Sequence, residues 1–197
     1  MQGIEDRIGG TTSRGVKQMF DEVPCLKNQR IVLKQLEERD ALSLQELVEE
    51  EMVYRSLPVF LYERRYSSQE AIGGMYRRNF SQRGFLLLGI YLEEARALCG
   101  LLELYGLREE IHKVSIGCRL REKYWNRGIA TEAVALMVEY LFGYTGIEII
   151  TASVKAGCVE ADRVLTKNGF IQNVAKVEED WGYPQPTPVE KWILMKE

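Results

Sequence analysis

The segment at residues 124–133, with the sequence YWNRGIATEA, combines residue types that suit the binding of an anion. Gly128 and Ala130 stand directly before a long apolar run, so the pattern predicts a tight turn that opens into a helix. The first turn of a helix leaves backbone N–H groups unpaired and carries roughly half a positive charge. Because both residues are small, a phosphate can approach these groups, while Thr131 adds a hydroxyl group and Arg127 a positive charge. The segment therefore predicts a phosphate site, and the alternative is an ordinary turn between a strand and a helix.

Length and composition limit the class of protein. The chain has 197 residues, of which 46% are hydrophobic and 28% are charged, so it can build a folded core. Its formal net charge of -3 argues against sequence-independent binding of nucleic acid. No apolar run approaches the roughly 20 residues that cross a bilayer, and the N-terminus lacks the pattern of a signal peptide. We therefore predict a soluble, cytoplasmic protein with neither a membrane nor a nucleic-acid partner.

Common metal and nucleotide motifs are missing. The four cysteines are widely spaced and the chain has one histidine, which predicts neither a zinc site nor a disulfide framework. No metal is therefore expected. The chain contains neither a Walker A loop nor a GxGxxG fingerprint, which disfavours the common nucleotide-binding folds.

The distribution of apolar residues predicts one domain at residues 29–197, preceded by an N-terminal extension at residues 1–28. The stretch GGTTSRG in the extension has the composition of a loop. The domain begins with RIVLKQL at residues 30–36, whose apolar residues alternate as in a half-buried strand. The acidic run at residues 49–51 is typical of a helix face that contacts solvent.

The rest of the chain predicts a mixed arrangement of helices and strands. Asp40 is expected to cap a first helix, and a second, weaker helix begins at Ser67 and contains Gly73 and Gly74. The next eight segments are predicted, in order, to be the two strands of a hairpin, a third strand, a buried helix, a strand, a short helix and two closing strands. Their sequences are GFLLLGIYL, ALCGLLELYG, KVSIGCRL, TEAVALMVEYLFGY, IEIITASVKA, CVEADRVLTKNG, FIQNVAKVEEDW and EKWILMK. This order predicts an α/β or α+β domain with one sheet and helices on both faces.

The run IGCRLREKYWNRGIATEAV resembles the acetyl-CoA-binding segment of the GNAT N-acetyltransferases, in the branch of the RimJ and RimL ribosomal-protein alanine acetyltransferases. The pattern of that branch is met here by Tyr124, Trp125, Gly128, Ala130, Thr131, Glu132 and Ala133. The similarity extends to RIVLKQLEERDA and VLTKNGF, and it covers roughly residues 30–195. The resemblance implies the GNAT acyl-CoA N-acyltransferase fold, with a mixed, mostly antiparallel sheet splayed into a V between KVSIGCRL and IEIITASV.

The resemblance also implies that acetyl-CoA is the co-substrate and lies in this V. The pantetheine arm would pair, like an extra strand, with the backbone of Cys118, Arg119 and Leu120. Many members of the family carry Asn at the position of Cys158, where it contacts this arm. Trp125 precedes the turn that holds the pyrophosphate, which would accept hydrogen bonds from the N–H groups of Asn126, Arg127, Gly128, Ile129, Ala130 and Thr131.

The implied reaction is the aminolysis of a thioester. The amine must lose a proton, and Glu103, on the strand next to the V, is the first candidate for the base; the alternative is an exposed carboxylate that alternates out of its strand. Glu178 and Asp180 are weaker candidates, and His112 reads as a turn or surface residue. A backbone N–H near Leu120 is expected to donate to the oxyanion of the tetrahedral intermediate.

Three positions depart from the family pattern. Cys158 replaces the Asn, Ala161 stands where many members of the branch carry Ser, and Thr166 stands where other GNAT proteins place a Tyr general acid. Protonation of the departing thiolate would then fall to water or to another group. A thiol at a helix N-terminus can have a lowered pKa, so an acetyl-Cys158 intermediate is an alternative to a small residue that merely lies beside the cofactor.

The resulting prediction is an N-acetyltransferase that moves the acetyl group of acetyl-CoA to a primary amine. The acceptor is either a protein N-terminus, as in ribosomal proteins, or a small amine such as a polyamine. The alternative from another class is an acyl-CoA-binding sensor or interaction module without turnover, which the three departures would mark. A homodimer is an open alternative to a monomer.

Overall fold

One eight-stranded sheet forms the centre of the protein. The computed structural model describes residues 20–95 and 97–197. The strands are β1 (Leu26–Lys27), β2 (Ile31–Lys34), β3 (Phe85–Leu92), β4 (Leu98–Arg108), β5 (Lys113–Leu120), β6 (Ile149–Lys155), β7 (Ile171–Glu179) and β8 (Thr187–Met195). They lie in the order β1-β2-β3-β4-β5-β6-β8-β7. Neighbours are antiparallel except β5 and β6, which are parallel, so the predicted mixed, mostly antiparallel sheet is confirmed.

Helices cover both faces of the sheet, as predicted. They are α1 (Ala41–Glu49), α2 (Glu51–Tyr54), α3 (Ser68–Glu70), α4 (Tyr76–Ser81), α5 (Ile129–Tyr144) and α6 (Val159–Lys167). Successive side chains of β3 point to opposite faces, so Leu86 and Leu88 pack in one core with Met137 of α5, while Leu87 packs in a second core with Leu44 of α1. None of the helices in the described part of the chain is long and apolar enough to cross a membrane.

The helix predicted from Ser67 is present, but it changes type along its length. Ser67 accepts a hydrogen bond from the Glu70 N–H group at 3.3 Å and so caps α3. A π-helical turn, Ala71–Met75, then connects α3 to α4, and Gly73 and Gly74 both lie in this turn. The two glycines therefore coincide with a wider turn rather than with the end of the helix.

Asp40 does not act as the predicted cap. It stands at the first position before α1, but its backbone is already helical and its side chain makes no capping hydrogen bond to that helix. The buried carboxylate accepts hydrogen bonds from the Glu37 N–H group at 2.8 Å and from the Tyr91 hydroxyl group at 2.7 Å. Asp40 therefore connects the turn before α1 to β3, because a buried carboxylate needs donors wherever they are nearest.

The end of the predicted extension joins the fold. Leu26–Lys27 forms β1, which pairs with β2, and the side chains of Phe20 and Leu26 are buried in the core that contains α5. Residues 20–28 are therefore part of the packed structure. Residues 1–19 lie outside the described part of the chain, and the extension stays a prediction there.

Strands β5 and β6 pair only where they begin. The register joins Lys113 to Ile149, Val114 to Ile150 and Ser115 to Thr151, and no later residues pair. The two strands therefore diverge toward their carboxyl ends, which confirms the V-shaped splay.

Strand β7 forms one exposed edge of the sheet. Among the described strands it pairs with β8 alone, and the register shifts twice, between Gln172 and Val174 and again between Val174 and Val177. Its side chains are exposed along almost the whole strand, with Ile171 the most exposed of its apolar residues.

Gly100 on β4 leaves no room for a side chain. An added Cβ would lie 2.1 Å from the Arg119 carbonyl oxygen of β5, so the two strands would have to separate. Because overpacking of this kind costs about 1–3 kcal/mol, we expect Gly100→Ala to lower the free energy of unfolding by about that amount. Gly143 on α5 has nothing within 4 Å of such a Cβ, so Gly143→Ala should leave stability equal or slightly higher. Equal urea midpoints for the two variants would contradict this packing.

Candidate functional site

The gap between β5 and β6 opens into a cleft of about 1050 Å³. The carboxyl half of β5 lies along one side, residues 152–155 of β6 lie along the other, and the turn at residues 125–131 closes one end. The cleft lies where the hydrogen bonding between the two parallel strands stops. A ligand there can therefore meet backbone groups that would otherwise be paired inside a sheet.

The turn before α5 has the geometry of an anion site. Asn126 and Gly128 both have positive φ angles, 57° and 77°, and α5 begins at Ile129. The first bond of the helix runs from the Glu132 N–H group to the Gly128 carbonyl oxygen at 3.0 Å. Within the described residues, the N–H groups at 126–131 donate to no backbone carbonyl outside the regular elements. Unpaired amides in such a left-handed turn, at the positive end of a helix dipole, form a concave site for a phosphate.

Arg30 adds a positive charge beside this turn. Its Nη1 atom lies 2.6 Å from Glu132 Oε1 and would lie 3.7 Å from a Cβ atom on Gly128. Asn28 donates to the other oxygen of Glu132 at 3.2 Å. Both donors come from the chain around β2, more than a hundred residues away, so the motif at residues 124–133 gave no signal for them.

The segment between β5 and α5 is held by two sets of contacts. Trp125 donates from Nε1 to the Leu120 carbonyl oxygen at 2.8 Å, which folds the turn back onto the end of β5. Glu50 accepts from Arg121 Nε and from the Glu122 N–H group, both at 2.7 Å. Glu50 is therefore not part of a solvated face, as the acidic run suggested, because its carboxylate fixes the approach to the phosphate turn.

Glu103 of β4 lines the cleft from the strand beside β5. It stands opposite Gly117 of β5, and a Cβ atom on Gly117 would come within 2.8 Å of the Glu103 carboxylate, so the glycine provides its space. The side chain is 18% exposed and lies 3.3 Å from Arg119 Nη1. The alternative of an exposed surface carboxylate is therefore wrong. Burial raises the pKa of the Glu103 carboxyl above its ordinary value, the charge of Arg119 lowers it in part, and Glu63 raises it again.

Arg119 has a second and closer partner that the sequence did not reveal. Its Nη2 atom lies 2.6 Å from Glu63 Oε1, and the two side chains are each only 2% exposed. Glu63 lies in the 3₁₀ turn Tyr62–Arg64, and the Tyr54 hydroxyl group donates to it at 3.2 Å. No spacing in the sequence connects this turn to β5, so the pair could be found only from the fold.

The two cysteines of the predicted site are protonated thiols at neutral pH. Cys118 on β5 lines the cleft, and burial raises the pKa of its thiol to about 12. Cys158 lies directly before α6 and also lines the cleft, and burial, followed by the nearby carboxylates of Glu160 and Asp162, raises the pKa of its thiol as well. The position at a helix N-terminus therefore does not produce the low pKa on which an acetyl-cysteine intermediate depends.

Of the remaining site candidates, some line the cleft and others lie outside it. Ala161 lines the cleft beside Cys158, whereas Thr166 is exposed and does not line it. Asp180 lines the cleft but is exposed, and its Oδ1 atom accepts from the Gly182 N–H group at 2.8 Å. Glu178 is exposed on β7. His112 is an exposed, left-handed residue of the turn between β4 and β5, as predicted.

No group of three or more His, Cys, Asp or Glu side chains suited to a metal ion occurs at residues 20–95 or 97–197. The cleft is lined by backbone amides, by the partly buried carboxylate of Glu103 and by three further carboxylates, those of Glu160, Glu179 and Asp180.

Known proteins are similar to this chain in sequence and fold. The sequence model of the family described as acetyltransferase (GNAT) domain matches residues 30–171, and the chain belongs to this family. A putative ribosomal N-acetyltransferase of Bacillus subtilis strain 168, YdaF, is 24% identical over 151 residues, which are 75% of this chain and 81% of that protein.

Solved structures give the same fold at lower identity. The ribosomal L7/L12 α-N-protein acetyltransferase RimL in complex with coenzyme A has a TM-score of 0.71 and 14% identity, over 85% of this chain and 95% of that one. The spermidine N-acetyltransferase of Vibrio cholerae in complex with CoA and spermine has a TM-score of 0.70 and 17% identity, over 85% and 96% of the two chains. Both structures therefore share the fold of this chain.

We expect Cys158 to react slowly with iodoacetamide at pH 7, because its raised thiol pKa leaves little of the reactive thiolate. The exposed Cys25 serves as the internal comparison in the same digest. Peptide mass spectrometry over a time course should show Cys25 alkylated several-fold faster, and the rate at Cys158 should rise as the pH is raised above neutral. Rapid alkylation of Cys158 at pH 7 would restore the nucleophile hypothesis.

Proposed function

We propose that the protein transfers the acetyl group of acetyl-CoA to a primary amine inside the cleft between β5 and β6. One observation carries this proposal: the two strands separate at the end where the unpaired amide turn of residues 126–131 begins α5. A pyrophosphate on that turn would direct the pantetheine arm into the gap, along the backbone of Cys118, Arg119 and Leu120. Membership of the GNAT family and the CoA named in the RimL and spermidine acetyltransferase structures support acetyl-CoA as the co-substrate.

The side chains of the cleft suit an aminolysis. We assign to Glu103 the role of general base, because it is the carboxylate on β4 that reaches the cleft between the separating strands. It takes a proton from the acceptor ammonium, the amine nitrogen then forms a bond to the thioester carbonyl carbon, and the carbon–sulfur bond breaks. A backbone N–H near Leu120 donates to the oxyanion of the intermediate. As the thiolate of coenzyme A leaves, the nitrogen gives its second proton to water and becomes a neutral amide. The thiolate takes a proton from water, since Thr166 lies outside the cleft.

We propose further that the acceptor is a protein N-terminus. Two of the other carboxylates that line the cleft already have partners: Glu179 pairs with Lys191, and Asp180 accepts from a backbone amide. A polyamine carries several positive charges and would need unpaired carboxylates along its length. The wall of the cleft instead presents Met52 and Phe60, both of which are more than one-third exposed and suit the apolar side chain of a first residue.

The names of similar proteins include both kinds of acceptor, a ribosomal protein and a small amine. YdaF and RimL are named for ribosomal proteins, which supports a protein N-terminus, while the spermidine enzyme represents the small-amine alternative. We place the reaction in the cytoplasm, where acetyl-CoA and new protein N-termini are both present. The homodimer and the absence of a nucleic-acid partner stay predictions.

An acyl-CoA-binding module without turnover is the second candidate. It is supported by Ala161 in place of Ser and by the exposed position of Thr166, which leaves the cleft without a side chain placed to protonate the thiolate. It is disfavoured by Glu103, because a partly buried carboxylate with a raised pKa at the wall of the cleft suits proton transfer, which a protein that only binds does not perform.

Acetyl-CoA binding tests the phosphate turn. We expect Gly128→Glu to weaken binding at least about tenfold, because it places a negative charge at the anion site and a side chain at a φ of 77°. Gly143→Glu adds the same charge at the other, exposed end of α5, where nothing surrounds the residue. Calorimetry should give the control variant an affinity equal to that of the wild-type protein. An equal loss in both variants would show that the turn does not hold the pyrophosphate.

Turnover tests the base and the acceptor together. Release of coenzyme A thiol should depend on a peptide with a free N-terminus, with little release for spermidine. Glu103→Gln should lower kcat about a hundredfold or more, while its affinity for acetyl-CoA stays unchanged, because the variant keeps the shape of the carboxyl group and loses the proton acceptor. Binding without release for any amine would favour the non-catalytic module, and a rate unchanged by Glu103→Gln would assign the base elsewhere.

A further inference from the structure

Two carboxylates share one buried guanidinium beneath the cleft. The guanidinium belongs to Arg119 of β5, and the carboxylates belong to Glu63 and Glu103. Among the described residues, Arg119 is the only positive charge in this cluster. The Arg119 and Glu63 side chains are each 2% exposed. A buried cluster with two negative charges and one positive charge cannot satisfy all three groups equally.

The distances show how the positive charge of Arg119 is shared between the two carboxylates. Its shortest contact, 2.6 Å, goes to Glu63, whereas the contacts to the two Glu103 oxygens are 3.3 and 3.4 Å. Glu63 also accepts the hydrogen bond from Tyr54. Glu63 is therefore the better stabilised carboxylate, and Glu103 receives the smaller part of the positive charge.

Access to the cleft separates the two carboxylates. Glu103 and Arg119 line the cleft, and Gly117 leaves open the space into which Glu103 extends. Glu63 lies beneath them, with its side chain almost completely buried, and it does not line the cleft. Glu63 can therefore act on the acceptor only through its effect on the other two groups.

We propose that Glu63 is a positioning residue that keeps Glu103 basic by binding most of the charge of Arg119. This inference rests on the proposed role of Glu103 as the general base. A carboxylate held in a close, unshared pair with arginine is a weak base, because the arginine stabilises the charged form. Sharing the arginine with Glu63 holds Glu103 in place and leaves it able to accept a proton near neutral pH.

The neighbouring groups support this division. Burial and Glu63 both act to raise the pKa of the Glu103 carboxyl, and Arg119 acts to lower it. The other titratable groups facing the cluster are raised in pKa by burial and remain neutral at physiological pH: Tyr54 of α2, Tyr76 of α4, Tyr105 of β4 and Cys118 of β5. Beyond Tyr105, Glu179 is paired with Lys191. The balance at Glu103 is therefore set by Arg119 and Glu63.

The test is the pH dependence of kcat/KM with one peptide acceptor. Glu63→Gln keeps the size of the side chain but frees the charge of Arg119 for Glu103, so the acidic limb that belongs to Glu103 should move to lower pH by about one unit. The double variant Glu63→Gln with Arg119→Met removes both charges, and its limb should move to higher pH than in the wild-type protein. The limb due to the acceptor amine is common to all variants and serves as an internal reference.

Matched controls separate this effect from misfolding and from net charge. Glu109→Gln removes one negative charge from a surface pair with Arg83 and should leave the limb in place. Each variant is first checked for its melting temperature and for acetyl-CoA affinity, which Glu63→Gln should leave within about twofold of the wild-type value.

The outcomes distinguish the inference from the function on which it rests. If no amine is acetylated, or if Glu103→Gln keeps both its rate and its acidic limb, the proposed function or base is wrong. If the limb disappears in Glu103→Gln but stays in place in Glu63→Gln and in the double variant, Glu63 does not set the basicity of Glu103. Opposite shifts in these two variants would establish the positioning role, because a purely structural residue would change rate or stability without moving the limb.

Discussion

The cleft exists because β5 and β6 stop pairing after three residues, and most other features of the site follow from that constraint. Parallel strands need a crossover connection, which here is the chain through α5. Because α5 starts after the carboxyl end of β5 and returns to the start of β6, its N-terminus lies at the end where the strands separate. The positive end of the helix dipole, the unpaired amides and the gap therefore coincide through topology. Ligand sites outside the carboxyl ends of parallel strands arise in the same way in open α/β sheets.

Charged side chains fix the parts that the missing strand pairing would leave loose. Arg30 and Glu132 connect β2 to the first turn of α5, and Glu50 connects α1 to the segment after β5. A third connection runs beneath the cleft, from Glu63 through the guanidinium of β5 to the carboxylate of β4. The first two are partly exposed and contribute little free energy each. The third is buried, so the arginine and the carboxylates depend on one another to remain charged.

The parts of the fold that could be predicted from the sequence are those with a contiguous signal. The turn before α5, the alternating strands and the largely apolar helix α5 each depend on residues within a short segment, and family resemblance gave the V between β5 and β6. Asp40 was assigned the wrong bonds because a short acidic side chain before a helix can cap it or bind something nearer. Glu63 and Arg30 were missed because their partners are 56 and 102 residues away along the chain, where spacing carries no information. The lowered thiol pKa considered as an alternative for Cys158 does not occur, because burial and the neighbouring carboxylates raise it.

The edge strand β7 has a consequence for how copies of the protein meet. In the described part of the chain no strand pairs with the outer edge of β7, so this edge, with exposed apolar side chains such as Ile171, presents unpaired backbone groups to a free strand. The two register shifts along β7 interrupt the regular spacing of those groups and twist the strand locally. A second edge could therefore match only a few consecutive residues before its hydrogen bonds fell out of step. The same irregularity that weakens the outermost pair of the sheet thus protects the protein from growing into a continuous intermolecular sheet.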